Sequence, residues 1–246
     1  MRYYKCDITD QDAVRGVAAT IRREVGTPSI LINNAGIANS HTILDTSPAW
    51  LDKLFRVNLY SHYLLLQEFL PAMLANRKGH VLALASMASY FSCPGIVDYC
   101  ATKAGVLALH EGLNQELKHR YGDAGRCIDT SVVHPMWART AIIDSWEGSL
   151  AAAKTAVLSP EAIADRVVEQ ILSGRGGQVY VPASATNFSG LRGWPTWVRA
   201  RIAILWSRSA SVSLLTMYGA PKIQELIRDS TQAATAVIKE KSETVK

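Results

Sequence analysis

The chain has 246 residues, of which 48% are hydrophobic and 19% are charged. This is the balance of a globular protein, and it excludes a disordered, collagen-like or coiled-coil chain as the main description. The formal net charge of +5 is a modest excess, and no RNA-binding motif accompanies it, so we expect no nucleic-acid partner.

Apolar strands alternate with helical patterns from the first residues to residue 182. Strands are predicted at residues 2–6, 29–36, 80–86, 127–135 and 178–182. Helices are predicted at 10–26 with Asp10 as cap, at 47–76 with Ser47 as cap, at 97–121, and from Ser159 to about residue 173. Near-continuous apolar strands joined by long helices favour an α/β fold, with a parallel sheet covered by helices on both faces.

The alternation stops past residue 182, so three segments are predicted: a catalytic domain at 1–182, a helical region at 183–229 and a polar tail at 230–246. Residues 191–210 are rich in Trp and Arg. This segment fits either a lid over a lipophilic pocket or an amphipathic helix that lies in a membrane interface. No signal peptide and no membrane-spanning helix are predicted. The four cysteines lack a CxxC pair and indicate reduced thiols in an intracellular protein.

One pair of residues carries recognisable chemistry. Tyr99 and Lys103 form a YxxxK pair, which a helix places on one face. An ammonium beside a phenol lowers the pKa of the phenol, as a general acid/base for alcohol–carbonyl interconversion requires. By itself, however, such a pair is more often a surface tyrosine with a solvated lysine.

Three further features accompany this pair. Ser86 ends the strand at 80–86, where a hydroxyl can donate to a substrate carbonyl, and Asn33-Asn34-Ala35-Gly36 closes the preceding strand at the same edge. Asn58 lies in mid-helix, where Asn is unfavourable. It is either a satisfied polar core residue or a group that holds a water or bends the helix near the site.

Together, these motifs resemble in order and spacing those of the short-chain dehydrogenase/reductase family: NNAG, Asn58, Ser86, Tyr99-xxx-Lys103, and Pro135 with Thr140. The resemblance covers roughly residues 3–182 and is greatest to the retinol-dehydrogenase and 17-beta-hydroxysteroid-dehydrogenase-like members. It implies a Rossmann-like sheet and an NAD(P)-dependent oxidoreductase that interconverts a lipophilic alcohol and its ketone or aldehyde.

The resemblance also implies four catalytic roles. Tyr99 exchanges a proton with the substrate oxygen. Lys103 lowers the pKa of Tyr99 and bonds the nicotinamide ribose, Ser86 orients the carbonyl, and Asn58 holds a water.

Further residues are implied to bind the cofactor, NAD or NADP. Asp7 bonds the adenine amino group, the run Asn34, Ala35 and Gly36 lies along the adenosine ribose, and Pro135 and Thr140 lie at the nicotinamide, whose carboxamide Thr140 meets. The six histidines show no ligand spacing, so no metal is expected, and His134 is predicted to be structural.

The sequence departs from the family's pattern at its start. The family opens with a strand, a GxxxGxG turn, a helix and a second strand, whereas this chain begins at what corresponds to the third strand. Gly174-Arg175-Gly176-Gly177 follows a helix and fits a C-cap instead. We therefore expect a truncated gene model, splice form or fragment that lacks the first β-α-β segment. The alternative is that residues 2–6 pair directly with the NNAG strand. Pro135-Met136 replaces the usual Pro-Gly and is expected to crowd the nicotinamide or narrow the substrate pocket.

Two functions from different classes follow. The first is the oxidoreductase, impaired in this chain by the missing phosphate-binding turn. The second is a non-catalytic remnant that binds a partner or a membrane. The resemblance further implies a homodimer through the two long helices. The expected location is intracellular, either cytoplasmic or peripheral on the endoplasmic reticulum or lipid droplet surface.

Overall fold

The structure is a computed structural model that describes residues 1–93, 95–140, 142–143, 156–195 and 197–198. Its sheet has four strands in the order β1-β2-β3-β4. The strands are β1 (Ile30–Asn33), β2 (Gly79–Leu84), β3 (Ile128–Pro135) and β4 (Gly177–Val181). All neighbouring strands run parallel, which confirms the predicted sheet.

Helices connect the strands, and side-chain caps begin three of them as predicted. The helices are α1 (Gln11–Glu24), α2 (Pro48–Phe55), α3 (Ser61–Ala75), α4 (Val97–His119), α5 (Gly122–Arg126), α6 (Pro160–Leu172) and α7 (Thr186–Ser189). Asp10, Ser47 and Ser159 each accept a hydrogen bond from a backbone N–H of the first turn. Such bonds satisfy donors that have no partner within the helix.

Apolar side chains cover both faces of the sheet. On one face, Val81 of β2 packs in a cluster with residues of α1, α3 and α4, among them Ala18, Met73 and Leu117. On the other face, the adjacent residue Leu82 packs with Val167 of α6. Because successive strand residues point to opposite faces, a continuous apolar strand serves both layers.

The strand predicted at residues 2–6 is wrong, and so is its direct pairing with the NNAG strand. Among the described residues, β1 is hydrogen-bonded to β2 alone. Arg2 and Tyr4 bond Glu24 at the end of α1 instead, at 3.1 Å and 3.0 Å. A strand forms only against a partner strand, and this segment has none within the residues that the structure describes. Consequently β1 is an edge strand, with Ile30 and Ile32 46% and 44% exposed.

The predicted region 183–229 is described only as far as residue 198, by short helical turns that include Ala183–Ala185 and Gly190–Gly193. The remainder of it, the predicted tail at 230–246 and most of the Trp- and Arg-rich segment lie outside the described residues. No helix in the described part of the chain is long and apolar enough to cross a membrane.

Candidate active site

The carboxyl ends of β1, β2 and β3 lie at one edge of the sheet. Asn33, the last residue of β1, aligns with Ala83, and Leu84, the last residue of β2, aligns with Val133. Ser86 follows β2 and caps a short helical turn at Met87–Ser89. This register brings the NNAG turn and Ser86 to the edge where ligands bind in parallel α/β sheets.

Tyr99, Lys103 and Ser86 come together at this edge. Tyr99 and Lys103 lie one turn apart in the first part of α4, with Lys103 Nζ 5.6 Å from the centroid of the Tyr99 ring. The Ser86 side chain hydrogen-bonds the Tyr99 phenol. Lys103 is 4% exposed, and its Nζ donates to the carbonyl oxygen of Leu84 at 2.8 Å. The ammonium therefore lies beside the phenol without bonding the phenol oxygen.

Burial determines the titration of this pair. It raises the pKa of Tyr99 to about 12, against a smaller lowering by the hydrogen bond from Ser86. Burial also lowers the pKa of Lys103 to about 8. Burial is the dominant influence on Tyr99 here, and the expected lowering of its pKa by Lys103 stays a prediction. The cost of placing phenolate in a desolvated site outweighs an ammonium that is directed at Leu84.

Asn58 connects three segments around the site. It lies in a π-helical segment, Arg56–Tyr60, which joins α2 to α3. Its Oδ1 accepts from the backbone N–H of Ile37 at 2.8 Å, and its Nδ2 donates to the Ile37 carbonyl at 2.8 Å and to Thr102 Oγ1 at 3.2 Å. The amide thus holds the NNAG turn against α4. Its suggested water-binding role stays a prediction.

The NNAG turn borders the space above Lys103. A Cβ built on Gly36 would lie 3.6 Å from both Asn58 Oδ1 and Lys103 Nζ, so glycine keeps this approach open. Asn34 and Ala35 are exposed. The buried amide of Asn33 finds no hydrogen-bond partner in the described part of the chain. A buried amide without a partner is costly, so the Asn33 side chain is available to bond a polar ligand at this edge.

The remaining predicted cofactor residues lie at the surface or pack locally. Asp7 is exposed, and its Oδ1 accepts from the N–H and hydroxyl of Thr9, bonds that lower the pKa of the carboxyl. Thr140 is exposed, and Pro135 ends β3. Met136 packs against the Met87 cluster. The structure therefore places Gly36 next to Asn58 and Lys103, two of the predicted catalytic residues. Asp7 and Thr140 instead have their side-chain bonds within their own turns.

Some positioning contacts were missed by sequence reasoning. Trp50 Nε1 donates to Asp98 Oδ2 at 2.8 Å, and Asp98 Oδ1 accepts from the Tyr99 N–H at 2.8 Å. These two hydrogen bonds fix the start of α4 against α2. Thr102, which links Asn58 to the Tyr99 carbonyl, was missed as well. The sequence does show an acidic residue, Asp98, in the first turn of a helix. It does not show that Trp50 is its partner, because the contact joins distant segments.

The described residues hold no group of three or more His, Cys, Asp or Glu side chains that could bind a metal ion.

Comparison with known proteins shows which family this chain belongs to. A family model described as short chain dehydrogenase matches residues 1–149. The chain belongs to this family. It is 43% identical to "Dehydrogenase RED3" of Cochliobolus heterostrophus over 119 residues, 48% of this chain and 61% of that protein. It is 37% identical to "Retinol dehydrogenase 10" of Homo sapiens over 139 residues, 56% of this chain and 40% of that protein. The chain thus spans less than two thirds of either relative.

The solved structures show the same fold. A gluconate 5-dehydrogenase from Burkholderia cenocepacia, in complex with NADP and tartrate, superposes with a TM-score of 0.61 over 73% of each chain. At 22% identity, this likeness shows the fold alone. The family's Rossmann-like parallel sheet is therefore confirmed for this member of the short-chain dehydrogenases.

Proposed function

We propose that this short-chain dehydrogenase is an NAD(P)-dependent oxidoreductase that interconverts a lipophilic alcohol and its ketone or aldehyde. One observation carries the proposal: Tyr99, Ser86 and Lys103 assemble at the carboxyl edge of the sheet, with the Ser86 side chain on the Tyr99 phenol. A phenol, a hydroxyl and an ammonium at one sheet edge are the groups that proton transfer to a carbonyl oxygen requires.

In this proposal, Tyr99 is the proton donor and Ser86 orients the substrate oxygen. The raised pKa keeps Tyr99 protonated at neutral pH, which suits carbonyl reduction. Alcohol oxidation needs the phenolate and is favoured as the pH rises. Lys103 supplies a positive charge beside the phenol while it remains protonated, and its pKa of about 8 allows this at neutral pH.

The residues around Lys103 fit the nicotinamide half of NAD or NADP. Gly36 leaves the space above Lys103 Nζ open, and the Asn33 amide lacks a polar partner in the described structure. We propose Asn34, Ala35 and Gly36 for the adenosine side, Asp7 for the adenine, and Pro135 and Thr140 for the nicotinamide. Hydride transfer belongs to the bound cofactor, and the chain's own residues supply position and a proton. No GxxxGxG turn occurs in this sequence to hold the pyrophosphate, so we propose weakened binding.

The lipophilic substrate is proposed from the relatives named retinol dehydrogenase 10. A second proposed function, partner or membrane binding, is supported by the exposed side chains of Trp194 and Trp197. An amphipathic surface that carries Trp fits a membrane interface. Peripheral association and a lipophilic substrate are compatible, because such substrates partition into membranes.

The test is a fluorescence titration of the folded chain with NADH and NADPH, followed by turnover of retinaldehyde. We expect Tyr99→Phe to lower turnover about 100-fold or more, because the substitution removes the acidic proton. The affinity for the cofactor should change less than about threefold. Lys103→Met should weaken the affinity itself. Tyr121→Phe is the matched control, since Tyr121 is exposed between α4 and α5.

Two outcomes contradict the proposal. If Tyr99→Phe retains full turnover, the assigned proton donor is wrong. If neither NADH nor NADPH binds at millimolar concentration, the second function, partner or membrane binding, is favoured instead.

A further inference from the structure

A largely buried polar cluster lies behind Ser86 and takes no part in the proposed chemistry. It consists of Tyr90 and His134, which are buried, Tyr180, which is partly buried, and Gln178, which is exposed at its outer end. His134, on β3 immediately before Pro135, is 0% exposed. Its Nδ1 lies 3.2 Å from the backbone carbonyl oxygen of Ser86.

The contact with Ser86 determines which nitrogen of His134 carries the proton. A carbonyl oxygen only accepts hydrogen bonds, so Nδ1 must be the donor. Burial lowers the pKa of His134 to about 4, so the ring is neutral and its Nε2 is an acceptor. The Tyr90 hydroxyl lies 3.4 Å from that Nε2 and also donates to the side-chain oxygen of Gln178. Because the one proton of the Tyr90 hydroxyl goes to Gln178, the ring is hydrogen-bonded at Nδ1 and is only in contact with Tyr90 at Nε2.

Packing holds the imidazole in this orientation. The ring of Tyr180 stacks on His134 with centroids 5.3 Å apart and an interplanar angle of 20°. The ring of Tyr90 lies against it at 4.9 Å. Gln178 Oε1 accepts from Tyr180 at 2.9 Å, and its Nε2 lies 3.4 Å from a carboxylate oxygen of Glu111 on α4. Aromatic contacts and hydrogen bonds together leave the ring a single orientation.

The position of the Ser86 backbone sets the position of its hydroxyl. The Ser86 carbonyl accepts from the Ser89 N–H at 2.9 Å as well as from His134. The Ser86 Oγ accepts from the Ala88 N–H at 3.1 Å. This bond occupies an acceptor position of the hydroxyl and leaves its proton directed at the Tyr99 phenol, where a bound substrate oxygen would compete for it. A rotation of the Ser86 peptide would move the Oγ away from both Ala88 and Tyr99.

We propose that His134 is a positioning residue: by donating from Nδ1 to the Ser86 carbonyl, it holds the Ser86 hydroxyl in register with Tyr99. The proposal rests on the proposed function for its catalytic consequence, but its structural half stands without it. The Nδ1–H of His134 is required to position Ser86, and a side chain that only fills the same volume does not replace it.

Two substitutions separate the hydrogen bond from the packing. His134→Leu keeps most of the volume and removes the donor, whereas His134→Asn retains an amide donor near the position of Nδ1. Tyr180→Phe is the control, because it keeps the stacked ring and removes only a hydroxyl at the far side of the cluster. The Tm of each variant is measured in the full chain. All variants are then compared at the same number of degrees below their own Tm.

Two readouts are taken. The first is hydrogen exchange of the Ala88 amide, which reports the Ser86 Oγ bond and needs neither cofactor nor substrate. We expect His134→Leu to lose about tenfold or more in protection there, and His134→Asn to retain it. The second is reduction of retinaldehyde with NADH or NADPH. His134→Leu should lower kcat about 10- to 100-fold with KM nearly unchanged, and His134→Asn should restore most of it.

Equal losses in the Leu and Asn variants would show that packing alone matters, and would overturn the proposal. So would unchanged Ala88 protection in His134→Leu. If the unmodified chain shows no turnover but the exchange pattern is as expected, the proposed function fails while the positioning of Ser86 by His134 stands.

Discussion

At the scale of single residues, burial has more influence on this site than nearby charge. Burial raises the pKa of Tyr99 and lowers that of Lys103, because charged forms are costly in a desolvated interior. The same effect acts on a second pair next to them. His62 of α3 and His110 of α4 are 1% and 2% exposed, with ring centroids 6.1 Å apart at 88°. Both rings are therefore held neutral in the folded protein.

This histidine pair predicts a loss of stability in mild acid. Burial lowers the pKa of His62 to about 3 and that of His110 to about 4, whereas unfolded His titrates near 6.5. Between these values the unfolded state binds more protons, so stability is full above pH 6.5 and falls as the pH is lowered. From pH 7 to pH 5, we expect each imidazole to contribute a loss of about 2 kcal/mol in the free energy of unfolding.

Urea unfolding at pH 7 and pH 5 measures this loss. The double variant His62→Leu/His110→Leu should lose much less stability between the two pH values than the unmodified chain. His119→Leu, at the exposed end of α4, is the control and should leave the difference unchanged. An equal pH dependence in the double variant and the unmodified chain would contradict the assignment.

At the scale of elements, close packing fixes how the connecting helices meet. The π-helical segment Arg56–Tyr60 places Asn58 against Ile37 and Thr102. α5 packs just as closely on the end of α4. A Cβ built on Gly125 would lie 2.0 Å from the carbonyl oxygen of Leu117, a backbone atom that cannot turn aside. Glycine is required there by space and not by its φ angle.

Two glycine-to-alanine substitutions, one in α4 and one in α5, should have opposite effects on the free energy of unfolding. Gly125→Ala forces α5 away from α4, and we expect it to lower the free energy of unfolding by about 1–3 kcal/mol. Gly112 lies within α4 with no atom within 4 Å of a built Cβ, so Gly112→Ala should raise stability by about 0.5–1 kcal/mol. Urea unfolding of both variants measures whether each substitution raises or lowers the free energy of unfolding. Equal signs would show that α5 does not pack on α4 as the structure has it.

At the scale of the whole molecule, one helical surface exposes several large apolar side chains to solvent. Leu51, Phe55, Tyr60 and Tyr63 are all exposed along α2, the π-helical segment and α3. Exposed apolar patches often mark interaction surfaces. We propose this surface, with α4, for a homodimer through the long helices.

Light scattering coupled to size-exclusion chromatography tests the dimer. The unmodified chain should elute at twice the chain mass, and Phe55→Arg should shift it to the monomer, because a buried charge opposes association. Leu172→Arg is the matched control: Leu172 is exposed at the end of α6, on the other face of the sheet, and its replacement should leave the mass unchanged. A monomeric unmodified chain at all concentrations would contradict the proposal.

Local features were largely predictable from the sequence because they depend on neighbouring residues. The caps Asp10, Ser47 and Ser159 and the apolar runs of β1 to β4 arise from short-range hydrogen bonding and hydrophobic patterning. Helical spacing likewise places Tyr99 and Lys103 one turn apart in α4. The boundaries of the lid and tail rest on the sequence alone and stay predictions.

Only the tertiary structure decided the features that join distant segments. Residues 2–6 have the aromatic character of a strand, but no strand in the described part of the chain pairs with them. The YxxxK spacing brings an ammonium near a phenol, but the desolvation that raises the pKa of Tyr99 comes from the surrounding fold. The same holds for the bond between His134 and Ser86. Strand pairing, burial and long-range hydrogen bonds depend on which surfaces meet, and a local pattern does not contain that information.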